Sequence, residues 1–214
     1  MAAPRLVGAA GTAVALALVC ACASAGGGAF APASPDKASR AVAIWQSAVE
    51  RAEAEGDVNA LYDASLSQGL RRTGGTLAVR FRGDTADGTL AGPFGSPIAR
   101  YDHGELSGEK LEPVALPPEE LRGFLSGVWP APAPAVVGER GGEVLLRWPG
   151  KQTVEGVFDV GRGELLSLRV ARAEGDLEAK FSGTRDPWPS GIEIEEKRSG
   201  SKLRLKLLSR ERVP

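Results

Sequence analysis

The chain has 214 residues, of which 26 are Lys or Arg and 27 are Asp or Glu, so its net charge is -1. These charges are interspersed without a long basic run, which argues against a nucleic-acid partner. A single histidine and 2 cysteines leave little for a metal site or for a nucleophile with its base. We therefore expect a protein that is not an enzyme and needs no cofactor.

Residues 1–21 have the composition of a targeting segment. One positive charge at Arg5 precedes an apolar run over residues 6–19. At about 1.5 Å per residue this run is too short to cross a hydrocarbon core roughly 30 Å thick, but its length suits a signal peptide. The alternative is a buried helix of a cytosolic domain, which the glycines around the run disfavour.

The segment Leu18-Val19-Cys20-Ala21-Cys22 resembles the lipobox of bacterial lipoproteins. The resemblance implies cleavage before Cys22, a diacylglyceryl thioether on its sulfur, and an acyl chain such as palmitate on the new amino group. Cys22 is a better acceptor than Cys20 because a small residue, Ala21, precedes it. Two or more acyl chains form a stable anchor, so we expect a chain that is attached to a membrane without spanning it.

Residues 22–33 carry no charge and no hydrophobic periodicity, and they are predicted to form a lipidated flexible tether. An aspartate after the acylated cysteine favours inner-membrane retention in the lipoproteins that this one resembles. Ala23 stands there instead, which implies sorting to the periplasmic face of the outer membrane. Residues 34–214 are predicted to form one domain, which is long enough for a sizeable core.

The first predicted helix begins at Ser34-Pro35-Asp36, with an N-cap, a proline at the first helical position and an acid in the first turn. Apolar residues then follow helical spacing until Gly56 supplies a stop signal. Trp45 lies on the apolar face and is predicted to be a core anchor. Direct contact with a ligand is the alternative.

After Ala60 the hydrophobic period becomes 2, which is typical of half-buried antiparallel strands. Asp87-Gly88 is predicted to be a turn. One face of these strands supplies the candidate lining of a cavity, which comprises Leu77, Val79, Phe81, Leu146, Trp148, Phe158, Leu166, Leu168 and Phe181.

A second helix is predicted from Pro117-Pro118-Glu119-Glu120 onward. The fold class is therefore α+β and mainly antiparallel β, with about eleven strands in a curled half-barrel that helices close. Such a sheet encloses an apolar hollow. Alternation alone leaves open whether side chains fill that hollow or a ligand enters it.

Candidates for catalysis have simpler explanations. His103 lies in Asp102-His103-Gly104, which has the composition of a solvated hairpin tip. Acids at the start of a helix are stabilised by its dipole, which explains Glu119 and Glu120. Three further acids are expected on the wet face and end of a strand, namely Glu193, Glu195 and Glu196.

The loop Gly92-Pro93-Phe94-Gly95 is a predicted membrane-insertion loop. Phe94 sits between turn-forming residues, and turns lie on the surface, so its ring has no obvious place in the core. Burying the ring in an adjacent bilayer would contribute roughly 1.5–3 kcal/mol. The alternative is that the loop folds back and the ring covers the sheet edge.

Five features follow one another along the chain: the lipobox, the early tryptophan, the Gly-Pro-Phe-Gly-Ser loop, the helix ending in Trp129-Pro130 and the closing hairpin Ile192 to Leu208. Their order resembles that of the outer-membrane lipoprotein receptor family LolB. The resemblance implies a half-barrel shared with the periplasmic carrier family LolA. It also implies that a protruding leucine of the family's insertion loop corresponds to Phe94.

By this resemblance the chain is expected to accept acylated lipoproteins from a periplasmic carrier and to insert them into the outer membrane. Its expected partners are acyl chains, the carrier and outer-membrane phospholipid, and it is expected to be a monomer. An alternative is a protein of the same fold that binds another lipid or assists envelope assembly. An envelope hydrolase is a further alternative.

Overall fold

The computed structural model describes residues 29–108, 111–129, 132–150, 152–185 and 188–213. The predicted signal peptide, the predicted acylation site Cys22 and most of the predicted tether lie outside these residues. The described residues contain two α-helices, α1 (Pro35–Glu55) and α2 (Pro118–Ser126).

All strands that these residues form belong to one antiparallel sheet. In chain order they are β1 (Val58–Gln68), β2 (Arg71–Arg82), β3 (Thr85–Ala91), β4 (Pro97–Asp102), β5 (Glu105–Gly108), β6 (Leu111–Ala115), β7 (Ala135–Arg140), β8 (Glu143–Trp148), β9 (Thr153–Asp159), β10 (Glu164–Ala171), β11 (Leu177–Arg185), β12 (Pro189–Glu196) and β13 (Ser201–Arg212).

The first and last strands of the chain, β1 and β13, lie in the middle of the sheet. Strands β1 to β6 run in sequence to one edge, α2 leads the chain to the opposite edge, and β7 to β13 return until β13 pairs with β1. The edge strands β6 and β7 are not neighbours, so the sheet is unclosed in the described residues. The predicted fold class is confirmed, with thirteen strands in the described part of the chain in place of about eleven, since short strands such as β5 give little alternation.

Helix α1 begins and ends where the sequence predicts, after Ser34 and before Gly56. Ser34 makes no side-chain capping bond to the helix. Its backbone N–H and its hydroxyl instead donate to the Glu139 carboxylate at 3.0 and 3.1 Å. Lys37 pairs with the same carboxylate at 3.2 Å, so the start of α1 is attached to β7.

The chain already contacts the sheet before residue 34. Ala31 forms a bridge with Glu139 through two backbone hydrogen bonds of 2.9 and 2.6 Å. The Arg140 guanidinium lies 4.7 Å from the centre of the Phe30 ring. The last residues of the predicted tether therefore lie against β7.

The predicted turn at Asp87-Gly88 is wrong, because both residues lie inside β3. The chain turns at Gly83-Asp84, where Gly83 has a φ of 50°. Gly88 pairs with Val79 of β2, so it is part of the β-ladder between β2 and β3. Both dipeptides have turn composition, and cross-strand register decides between them.

The alternation predicted for Leu166 is wrong by one position. The register of β10 against β9 shifts between Leu165 and Ser167, so an extra residue enters the strand there. Leu165 is buried and Leu166 is only half-buried. A bulge of this kind changes the face to which the preceding side chains point.

The covered face of the sheet carries an aromatic core. The rings of Trp45 and Trp148 meet edge to face with centroids 6.4 Å apart, and Phe158 lies 6.4 Å beyond Trp148. Trp45 also donates from Nε1 to the Trp129 carbonyl at 2.9 Å. The prediction of Trp45 as a core anchor is confirmed, since 8% of it is exposed.

Neither helix in the described part of the chain combines the length and the apolar character that a membrane span requires.

Candidate functional site

Helix α2 occupies the hollow of the curled sheet. Most of its residues are buried, including the apolar Leu121, Phe124 and Leu125. These side chains are surrounded by protein, whereas Glu119 on the other face of the helix is exposed. Phe124 also packs edge to face on Trp129 at 6.4 Å. The hollow that the sequence left undecided is therefore filled by a helix.

An ion pair connects α2 to the far part of the sheet. The Glu120 carboxylate accepts from the Arg172 guanidinium, which follows β10. The two side chains are only 8% and 10% exposed. A pair so far from water loses much hydration on folding, and removing one partner would leave the other charge buried.

Arg122 connects α2 to α1 and to the near part of the sheet. Its Nη2 donates to the Gly56 carbonyl at 2.8 Å and to the Ala52 carbonyl at 3.4 Å. Its guanidinium lies 5.7 Å from the centre of the Phe81 ring in β2. Two side chains of α2, those of Glu120 and Arg122, thus reach the end of β10 and β2, which are separated by four intervening strands in the sheet order. The sheet must curl around α2 for these contacts to form.

The segment that leads into α2 is held by Tyr101. Its hydroxyl donates to the Leu116 carbonyl at 2.6 Å inside the core. Burial, with smaller effects of Glu119 and Glu120, raises the pKa of Tyr101 to about 12. The phenol therefore remains a proton donor at neutral pH, and this attachment does not depend on ordinary changes in pH.

A cleft of about 600 Å³ lies beside α2, between the C-terminal half of α1 and the β2–β3 turn. Ligand pockets commonly measure about 300–1,000 Å³, so this volume suits a small ligand or part of a lipid. The wall of the cleft is mixed. Apolar groups include Val49, Ala52, Phe81 and Val128, whereas charged groups include Glu53, Asp57, Asp84, Glu119 and Arg122.

The predicted cavity residues mostly lie in the core. Phe81 is the member of this set that lines the cleft. Leu166 is half-buried at the bulge. The other members are buried around the helices, and they comprise Leu77, Val79, Leu146, Trp148, Phe158, Leu168 and Phe181. A role of these residues in binding a ligand stays a prediction.

Phe94 projects from a short 3-10 helix, Pro93–Gly95, that joins β3 to β4. Its relative exposure is 107% and its φ is 67°. Backbone bonds close the loop beneath it, from Gly92 N–H to the Ser96 carbonyl at 2.7 Å and from Gly95 N–H to the Gly92 carbonyl at 3.1 Å. The ring does not fold back onto the sheet edge.

Gly92 allows this loop to close. A Cβ at this position would lie 2.9 Å from Cδ1 of Ile98. Any larger residue would therefore move the packed isoleucine or open the loop. By contrast, Phe94 adopts a left-handed backbone that is unfavourable for an aromatic residue while its ring contacts little protein. The loop holds an exposed ring at a cost in stability.

The loop and the cleft lie at opposite ends of β3. The cleft adjoins the turn before Thr85, and Phe94 follows Ala91 at the far end of the strand. A strand of this length, 7 residues, spans about 20 Å at roughly 3.3 Å per residue. The structure therefore does not bring these two predicted features together.

The remaining polar candidates are surface groups. His103 is at the β4–β5 turn with its side chain 92% exposed, where Nδ1 lies 2.7 Å from the Asp102 carboxylate. A hydrogen bond from Arg204 lowers the pKa of Glu193, and one from Lys197 lowers that of Glu195. Hydrogen bonds from Ser199 and from the Arg198 backbone lower the pKa of Glu196. Among the described residues no three His, Cys, Asp or Glu side chains form a group that could hold a metal ion.

Sequence reasoning missed two features of this region. One is the ion pair between Glu120 and Arg172, for which no local pattern exists because the residues come from distant segments. The other is Leu70, which has a relative exposure of 107% at the β1–β2 turn. The sequence Gly69-Leu70-Arg71 between two alternating segments was a signal that could have identified this turn.

Comparison with solved structures identifies the fold. An outer membrane lipoprotein-sorting protein domain from Vibrio parahaemolyticus aligns with a TM-score of 0.54 and 13% identity, over 81% of this chain and 92% of that chain. A LolA superfamily protein from Nitrosomonas europaea aligns with a TM-score of 0.52 and 13% identity, over 79% and 94%. A DUF1329 family protein from Desulfovibrio piger gives 0.53 and 10%, over 82% and 93%.

No protein-family model matches the sequence, and no curated protein is significantly similar to it. The structural matches are distant in sequence but cover nearly the whole of each solved chain. The chain therefore has the fold of the LolA superfamily and of outer-membrane lipoprotein-sorting domains.

Proposed function

We propose that this protein is an envelope lipoprotein that accepts acyl chains of other lipoproteins from a periplasmic carrier and passes them to the outer membrane. The observation that carries this proposal is α2, whose apolar side chains Leu121, Phe124 and Leu125 fill the hollow of a LolA-type sheet. An acyl chain that displaced them would meet an already apolar interior.

Binding of an acyl chain would require α2 to move outward. The helix spans only 9 residues, and polar ties through Glu120 and Arg122 hold it on two sides. Apolar contacts of α2 with the sheet would be replaced by contacts of acyl chain with the sheet, so the hydrophobic contribution is largely conserved. The cleft beside α2 supplies space next to the segment that moves.

Transfer in this scheme requires no nucleotide, metal or other cofactor. Each buried methylene contributes about 0.8 kcal/mol, so acyl chains cross water slowly unless an apolar site shields them. Transfer from the carrier to the receptor then requires only that the receptor binds the chains more tightly than the carrier does. The scheme involves no bond cleavage.

The proposed placement depends on acylation of Cys22 and on the exposed ring of Phe94. Acylation would hold a monomeric domain at the periplasmic face of the outer membrane through the preceding tether. Phe94 would then insert into the adjacent phospholipid during delivery. Its full exposure and the closed backbone of its loop support this role.

The direct test is a transfer assay. The purified protein is mixed with a periplasmic carrier that is loaded with a labelled acylated lipoprotein, and the label on each protein is measured after separation. The proposal predicts that label moves to this protein. Retention of all label on the carrier, under conditions in which an established receptor accepts it, would exclude the receptor function.

A second candidate is a protein of the same fold that binds a different lipid or assists envelope assembly. The mixed wall of the cleft favours this candidate. An acyl chain has no polar group that could bind the carboxylates of Glu53, Asp57 and Glu119 or the Arg122 guanidinium. Mass spectrometry of lipids that co-purify with the protein would support this candidate if it found one lipid with a polar headgroup and no lipoprotein.

A further inference from the structure

The β1–β2 hairpin projects beyond the neighbouring strand β3. The last pair between β2 and β3 joins Thr76 to Ala91, whereas β2 continues to Arg71 and pairs there with β1. These five additional residues extend about 16 Å at roughly 3.3 Å per residue. Residues 68–74 are all exposed, so this end of the hairpin stands clear of the core.

Leu70 forms the tip of the hairpin. Its relative exposure is 107%, equal to that of Phe94. The space around the tip is open, since a Cβ built on Gly69 would meet nothing within 4 Å. Single exposed leucines are common on protein surfaces, but one at the tip of a projecting hairpin is able to enter a soft apolar phase ahead of the rest of the molecule.

The hairpin tip and the Phe94 loop lie at the same edge of the sheet. Adjacent antiparallel strands alternate in direction, so the β1–β2 turn and the β3–β4 loop fall on one side, and the β2–β3 turn falls on the other. The two fully exposed apolar side chains of these turns therefore face the same way.

The hairpin tip itself carries only positive charges, whereas the β12–β13 turn on its other side carries Glu196 together with the cations Lys197 and Arg198. Arg71 and Arg72 follow Leu70 directly and are exposed. The sequence contains no Asp or Glu between Asp63 and Asp84, and none between Asp87 and Asp102. The hairpin tip thus presents an apolar side chain and two cations without a carboxylate, and the Phe94 loop presents an apolar ring without a charged residue. This combination matches an anionic lipid surface, where cations bind headgroups and apolar side chains enter the acyl boundary.

We infer that the Leu70-Arg71-Arg72 tip is a second membrane contact, which binds anionic headgroups through its arginines and buries Leu70 beside the Phe94 loop. This inference goes beyond the proposed cargo transfer and does not depend on it. Burial of the leucine raises the equilibrium constant for insertion of the tip by about ten- to a hundredfold. Each arginine raises the same equilibrium constant by about a further fivefold at low ionic strength.

Fluorescence quenching by brominated lipid tests the contact in the full-length protein reconstituted into phosphatidylglycerol vesicles. All four native tryptophans are buried, so Leu70→Trp adds an exposed emitter at the tip. The matched control is Arg162→Trp, because Arg162 is exposed at the β9–β10 turn on the opposite edge. We expect strong quenching for Leu70→Trp and little additional quenching for Arg162→Trp.

The role of charge is tested in the same Leu70→Trp background. Arg71→Gln with Arg72→Gln should reduce the equilibrium constant for tip insertion by about thirtyfold at low salt. Arg80→Gln, which removes an exposed cation near the opposite end of the same strand, should leave insertion unchanged. High salt should weaken insertion of the parent and reduce the effect of the double substitution.

Equal quenching of Leu70→Trp and Arg162→Trp would overturn the inference. Quenching or burial of the tip that appears only after a second protein is added would also overturn it, because the occupant would then be a protein. The readout involves no cargo. A protein that fails to accept lipoproteins but inserts Leu70→Trp would therefore refute the proposed function and leave this contact intact.

Discussion

The Glu120 carboxylate and the Arg172 guanidinium form an ion pair inside the curled sheet, although 52 residues separate them in the sequence. One partner belongs to α2 and the other follows β10. The pair is almost fully removed from water. A helix that fills an apolar hollow is thus held in part by a charged contact. Movement of the helix out of the hollow would separate the Glu120 carboxylate from the Arg172 guanidinium.

Removal of one partner should destabilise the domain. We expect Glu120→Ala to lower the free energy of unfolding by about 3–5 kcal/mol, because the buried Arg172 guanidinium would lose its contact with the Glu120 carboxylate. Urea denaturation at neutral pH measures this loss. Glu119→Ala is the matched control, since Glu119 lies next to Glu120 in the same helical turn but is exposed. Equal losses in the two variants would contradict a buried pair that holds α2.

Phe94 should be replaceable without loss of stability. Its φ of 67° is a conformation that asparagine adopts more readily than an aromatic residue. We expect Phe94→Asn to raise the free energy of unfolding by up to about 1 kcal/mol, since a left-handed backbone costs roughly 1–2 kcal/mol. Leu70→Asn, which changes an equally exposed residue without a positive φ, should have little effect. A marked loss for Phe94→Asn would show that the ring packs on the protein.

Delivery to a bilayer should depend on the same ring. Phe94→Glu should accept an acylated lipoprotein from the carrier as well as the parent does, but it should fail to release the lipoprotein into liposomes. The reason is that a carboxylate strongly disfavours insertion into the acyl region. Sedimentation of liposomes with labelled cargo measures release, and Phe94→Leu serves as the apolar control. Normal release by Phe94→Glu would assign the ring a purely structural role.

The attachment of α1 to β7 should weaken in acid. The backbone N–H of Ser34, and then the Lys37 ammonium, lower the pKa of Glu139 below its usual 4.5. Because the folded-state pKa is the lower one, the stabilisation is present above 4.5 and is lost as the pH falls through the folded-state value.

The measurement for this carboxylate compares the parent with Glu139→Gln. The variant should unfold at a lower urea concentration near neutral pH, and the difference should shrink as the pH falls below 4.5. A difference that stays constant across this range would show that ionisation of Glu139 does not contribute. Both proteins retain Ala31, whose bridge uses only the backbone of residue 139.

Local patterns were sufficient to predict the elements whose signal lies within one segment. Helix α1 has a proline start, a continuous apolar face and a glycine stop, and β2 alternates through Leu77, Val79 and Phe81. The fold class followed from counting such segments. Its strand number was low because the shortest strands contain too few residues to alternate.

Features that depend on register or on distant partners could not be predicted. The bulge at Leu165 is set by pairing with β9, and the choice of Gly83 over Gly88 as a turn is set by pairing of β2 with β3. The amphipathic pattern of α2 predicts a helix, but only the curl of the sheet places it inside the hollow. The contact of Glu120 with Arg172 depends on that placement.

The central claim is that acyl chains bind between α2 and the sheet. An acylated lipopeptide with a photoreactive group at the end of its acyl chain is bound to the protein and irradiated, and the attachment sites are mapped by mass spectrometry. The account predicts attachment to buried residues of α2, such as Leu121 and Phe124, or to residues of the adjacent cleft, such as Phe81 and Val128. Attachment confined to the exposed turns or to the outer face of the sheet would contradict it.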